Sequence, residues 1–179
     1  NIPVTQTVMG YSTMKRDHSH FSGPIGGLGG TAANNLAKKT DLAIAIGTRL
    51  ADFTTGSWAN FENPNFGLVS LNITRHDANK HLAQAVIGDA KVSLIDLSQA
   101  LGNWKAPDDW YKKSRDELKS WNEYVDKESG PTNQEVPSYA HAVGAIYRNS
   151  DPTDIAVTAA GGLVGEVVQI WRPREFNTH

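Results

Sequence analysis

Cysteine is absent from the 179-residue sequence, which excludes disulfide staples and thiolate metal ligands and leaves the redox compartment unconstrained. Long apolar runs are missing as well, and nothing approaches the roughly 20 consecutive apolar residues that cross a bilayer as a helix. The opening residues Asn1-Ile2-Pro3-Val4 do not follow the basic-then-apolar order of a secretory leader, so a cytoplasmic protein with no membrane partner is expected. An excess of charge of one sign is lacking: the formal net charge is -2 and the pI is about 6.3, which gives no electrostatic footing for nucleic acid as a partner. Neither a G-x-S-x-G nucleophile elbow nor a Walker G-x-x-x-x-G-K-S/T loop occurs.

What is present is α/β alternation over a length that can bury a proper core. Strands are predicted at residues 2–7, Leu42–Ile46, 68–73 and Gln84–Ile87. Asp89 is positioned to cap a helix through Val92, Leu94, Ile95 and Leu101, whose apolar residues suit burial on one broad face, and Gly102 ends it. A long polar helix follows Pro107, with Tyr111, Leu118, Trp121 and Val125 recurring as a docking stripe. Ser129-Gly130-Pro131-Thr132-Asn133 breaks that pattern. Beyond it a helix from Pro137 to about Arg148, a strand at 155–158 and a further helix from Val164 are expected.

The chemistry-bearing residues lie where strands end. Strands buried on both faces leave ligands the crevice at their carboxyl ends, and Gly47 delivers Thr48, Arg49 and Asp52 there. Arg49 offers a planar fork for a phosphate or carboxylate, and Asp52 can hold a sugar hydroxyl; the alternative is a plain Arg49–Asp52 loop ion pair. Upstream, Gly27-Leu28-Gly29 followed by Ala32 has the spacing of a dinucleotide fingerprint. Its amides would face an anion at a helix start. The loop follows a polar stretch, residues 15–20, where the fingerprint requires a strand, so a tight turn with Thr31 as helix cap is the preferred reading. His18, His20, His76 and His81 lack metal-ligand spacing, and no metal site is expected.

Several segments carry a resemblance. Ile2-Pro3-Val4, Asp17-His18, the glycine-rich run 23–34, the stretch Gly47-Thr48-Arg49-Leu50-Ala51-Asp52-Phe53-Thr54-Thr55-Gly56-Ser57, Asn72-Ile73, Asp77 to His81 and Gly88-Asp89-Ala90 together resemble thiamine-diphosphate-dependent enzymes. Within that family the likeness is to the branch of myo-inositol catabolism that opens a cyclic 1,2-dione by hydrolysis, and the DFTTGS stretch is its most specific part. The resemblance implies a Rossmann-like parallel sheet with flanking helices, lacking its first strand. It implies a partial central domain at residues 1–128, a linker at 129–136 and the start of the cofactor domain at 137–179.

It further implies thiamine diphosphate and Mg2+ as cofactors of the full-length enzyme, a cyclic dione as substrate, and a homodimer or homotetramer. The family's activating glutamate and metal motif fall outside this sequence, so no catalytic or metal residue is assigned and the isolated chain is expected to be inactive. Cofactor-facing positions carried over are Gly27, Gly29, Thr48, Arg49, Asp52 and Asn72 around the central cleft, with Gly161 and Gly162 near the diphosphate. Relatives have Asp-Ile-Asp where this chain has Asn72-Ile73-Thr74, which argues against FAD or ADP in that cleft. An acetolactate-synthase-like carboligase and a stand-alone nucleotide-binding module remain as alternatives. The missing strand lies mid-sheet in the family, leaving backbone groups to be paired by another segment. Residues 155–158 are the candidate filler.

Overall fold

The computed structural model describes residues 1–178. In chain order it contains β1 (Val4–Gln6), β2 (Phe21–Pro24), α1 (Thr31–Lys39), β3 (Leu42–Ile46), α2 (Asp52–Thr55), β4 (Gly67–Asn72), α3 (Arg75–Ala78), β5 (Gln84–Ile87), α4 (Ala90–Leu101), α5 (Asp108–Glu128), α6 (Tyr139–Asn149) and α7 (Gly162–Ile170). All strand pairs are parallel, but they form two sheets, β1-β2 and β3-β4-β5. Parallel strands flanked by helices are the α/β arrangement expected.

Local signals set most boundaries. Asp89 caps α4 by accepting from the Val92 amide, and Gly102 closes that helix with φ +53°. Asp108 and Asp109 sit in the first turn of α5, where they favour the positive end of the helix dipole. Ser138 forms a reciprocal capping box with His141 at the start of α6.

Four expectations are corrected. First, Phe21–Pro24 is a strand, so the glycine-rich loop does run from a strand into a helix. Second, Thr31 is the first residue of α1 and Gly30 occupies the cap position without a side-chain bond. Third, residues 155–158 pair with no strand among the described residues: Ile155 is 66 % and Val157 90 % exposed, and the Ala156 amide bonds the carbonyl of Thr178. That segment therefore leaves the sheet interruption unfilled. Fourth, α4 buries none of its residues, and Val92, Leu94 and Ile95 face solvent.

The main core lies between β2, α1, α5, α6 and α7, and joins Tyr11, Phe21, Ala32, Leu118, Trp121, Val125, Val143, Tyr147, Val167, Ile170 and Trp171. The apolar stripe of α5 docks there as its spacing predicts. Large aromatic side chains dominate such a core because each removes a large apolar area from water. Residues on both sides of the Ser129 break contribute to it. A second cluster, Ala45, Leu50 and Leu68, is covered by Trp58 and Phe66 beneath the three-stranded sheet.

Candidate functional site

The carboxyl ends of β3 and β4 meet the glycine-rich loop through α2, and the site is built from these three pieces. After β3 the Gly47 amide still bonds the carbonyl of Leu71 at 2.9 Å, so Thr48 is the first residue to leave the sheet. Asn72 closes the exit. It is 7 % exposed, its side-chain amide donates to the Thr48 carbonyl at 3.1 Å, and its oxygen accepts from the Thr74 amide at 2.9 Å. Both polar ends of Asn72 thus bond backbone, which ties the two strand ends together.

The glycine-rich loop is likewise closed on itself. The Gly27 amide donates to the Phe53 carbonyl at 2.7 Å, and the Gly29 amide to Gly26 at 2.9 Å. Asn34 reads both backbone groups of Gly26, accepting from its amide and donating to its carbonyl at 3.0 Å each, and in turn accepts from Asn60. Gly26 has φ +107°, and a Cβ there would lie 2.2 Å from the Phe53 carbonyl oxygen. Only glycine allows both the conformation and that approach. The carbonyl of Phe53 therefore stands where an anion would have to accept the loop amides.

Arg49 is exposed, and among the described residues no Arg49–Asp52 ion pair forms. Asp52 opens α2 and accepts from the Ser57 hydroxyl at 3.2 Å. The Arg49 backbone carbonyl accepts from Lys80 at 3.4 Å, and Lys80 pairs with Asp77 at 2.5 Å. That hydrogen bond from Lys80 is the main reason the Asp77 carboxyl is held below its ordinary range, with help from the charges of Lys80, His76 and Arg49.

Sequence patterns single out neither Asn34, Asn60 nor the Phe53 backbone as parts of the loop's bracing, and they miss the stack of His81 on Trp58. Those rings lie 4.1 Å apart at 19°, with the His81 Nε2 3.3 Å from the Leu50 carbonyl. Leu50, Ser57, Trp58, His81 and Leu82 all have left-handed backbone, an unusual density of strain for non-glycine residues. The only sequence signal for it is the Thr-Thr-Gly-Ser-Trp composition of the turn.

Gly161 and Gly162 are exposed at the start of α7, and nothing lies within 4 Å of where a side chain would begin on either. The structure joins Gly27 with the Asp52 turn and Thr48 with Asn72, and leaves these two glycines outside that set of contacts. Among the described residues no three histidine or carboxylate side chains converge to hold a metal ion. No helix among them is long and apolar enough to cross a membrane.

Comparison with known proteins gives these elements a context. The family model described as "Thiamine pyrophosphate enzyme, central domain" matches residues 1–97. A "3D-(3,5/4)-trihydroxycyclohexane-1,2-dione hydrolase" of Clostridium perfringens (strain 13 / Type A) is 30 % identical over 194 residues, covering 96 % of this chain and 30 % of that protein. A protein of the same name from Bacillus anthracis is 31 % identical over 203 residues, covering 100 % of this chain and 32 % of its own length. The "3D-(3,5/4)-trihydroxycyclohexane-1,2-dione hydrolase 1" of a Bacillus cereus strain is 32 % identical over 208 residues, with the same coverage. The chain spans about a third of the length of these curated relatives.

Proposed function

Because the chain belongs to the thiamine pyrophosphate enzyme family by its match to the central domain, we propose that it is the middle portion of a hydrolase that cleaves a carbon–carbon bond of a cyclic 1,2-dione in inositol catabolism. The observation that carries this reading is identity of 30 % or more across essentially the whole chain to proteins of that name. On this reading residues 1–128 are the central domain, 129–136 the linker and 137–179 the opening of the cofactor domain. The complete protein is a cytoplasmic homodimer or homotetramer.

Thiamine diphosphate, held with Mg2+ by the complete protein, supplies the electron sink that carbon–carbon cleavage needs. Of this chain's residues, Gly161 and Gly162 would lie near its diphosphate and offer exposed backbone. The chain also supplies a braced scaffold. Asn72 ties the ends of β3 and β4, and Phe53 fills the glycine cradle. These two features also favour a central domain that has no nucleotide over a stand-alone nucleotide-binding module or a relative that holds FAD or ADP.

Two measurements test the reading. The full-length protein, given thiamine diphosphate and Mg2+, is expected to hydrolyse a cyclic 1,2-dione, whereas the isolated chain is expected to be inert and to show no micromolar heat with FAD, ADP or NAD. Carboligation of pyruvate by the full-length protein in place of dione hydrolysis would overturn the assignment in favour of an acetolactate-synthase-like enzyme. Tight binding of any of the three nucleotides would overturn the closed-cleft reading.

A further inference from the structure

A cavity of about 330 Å³ opens between the end of α5, the loop after it and α6. Arg16, Arg148 and Arg172 line it, and Asp126 is its one acidic residue. The three guanidinium groups arrive from separate parts of the chain, and each is held in place. Arg16 donates to the Tyr147 hydroxyl at 2.7 Å, which itself donates to the Arg172 carbonyl at 3.1 Å. Arg148 donates to the Ser129 carbonyl at 2.5 Å. Arg172 reaches Asn122 and pairs with Asp126.

The balance of charge around the cavity points to an anionic ligand. Three like charges share one cavity with a single carboxylate, and that carboxylate is itself 61 % exposed, so its field is screened by solvent while Arg172 lies in a medium that amplifies repulsion. Several guanidinium groups around one cavity suit a tetrahedral oxyanion with several acceptor oxygens better than a planar carboxylate with two.

The geometry points to a binding site for the phosphoryl group of a small molecule, held by Arg16, Arg148 and Arg172. The site shares no residue with the glycine-rich loop, Arg49 or the two glycines of α7, so it stands apart from the reading of the family's chemistry.

Calorimetric titration of the whole chain with pyrophosphate, inorganic phosphate and malonate at low ionic strength tests it. Saturable 1:1 binding of pyrophosphate or phosphate is expected, at least tenfold tighter than malonate. Arg148→Gln and Arg16→Gln should each weaken it at least tenfold while the far-ultraviolet circular dichroism stays that of the folded chain. Lys119→Gln, which removes the same charge from the exposed face of α5, should change it by less than twofold. Absence of saturable heat with both phosphates would overturn the proposal. So would equal losses in the Lys119→Gln and Arg148→Gln variants, which would mean that only net charge is being read. Malonate binding as tightly as phosphate would overturn the phosphoryl assignment.

Discussion

Asn72 shows how one residue can change the meaning of a ligand crevice. A carboxylate at the end of the strand would project acceptor oxygens, but an asparagine can donate and accept at once, and here it does both to backbone. Asn72→Ala removes both bonds and leaves the Thr48 carbonyl and Thr74 amide without those partners. Chemical denaturation should show a loss of about 1–3 kcal/mol, the range for unpaired buried polar groups. An unchanged urea midpoint would mean that the two strand ends are not joined through this side chain in solution. Residue types alone do not reveal this. The sequence places Asn72, Thr48 and Arg49 near strand ends, but which polar groups face inward is set by the turn that follows. The exposed Arg49 and the absent Arg49–Asp52 pair depend on that same turn.

Elements are legible wherever one local signal suffices. Leu42–Ile46 and Gln84–Ile87 are strands with the predicted ends, and the Asp89 cap and Gly102 stop of α4 fall where expected. Phe21–Pro24 is hidden because only Phe21 favours a strand and Gly23 and Pro24 argue against one; pairing with β1 overrides that composition. Residues 155–158 fail for the opposite reason, since a β-rich composition forms no strand without a partner ladder. Close approach decides the packing of α6. A Cβ on Gly144 would lie 2.1 Å from the Ser129 carbonyl oxygen, so that helix can touch the end of α5 only through a bare Cα. Gly144→Ala should destabilise the chain by about 1–3 kcal/mol through overpacking, read as a lower urea midpoint with an unchanged slope. A midpoint equal to that of the parent would show that α6 does not dock there.

For the molecule as a whole, the interrupted sheet and the bare face of α4 have one physical result. Val92, Leu94 and Ile95 on α4 and Val86 and Ile87 on β5 are all exposed, on both faces of the strand and on more than one side of the helix. The native chain should therefore enhance the fluorescence of anilinonaphthalene sulfonate in the absence of denaturant. A paired Val92→Glu and Ile95→Glu variant should lose most of that enhancement while keeping its circular dichroism. A native chain that leaves the dye dark would mean that this face is covered in solution.

The two sheets also differ in when they can be made. The β3-β4-β5 ladder and α4 come from consecutive sequence, and all their residues are synthesised before those of α5. The core around β1 and β2 waits for α6 and α7, and the bond from Arg16 to Tyr147 alone closes a span of 131 residues. Contacts that distant form late.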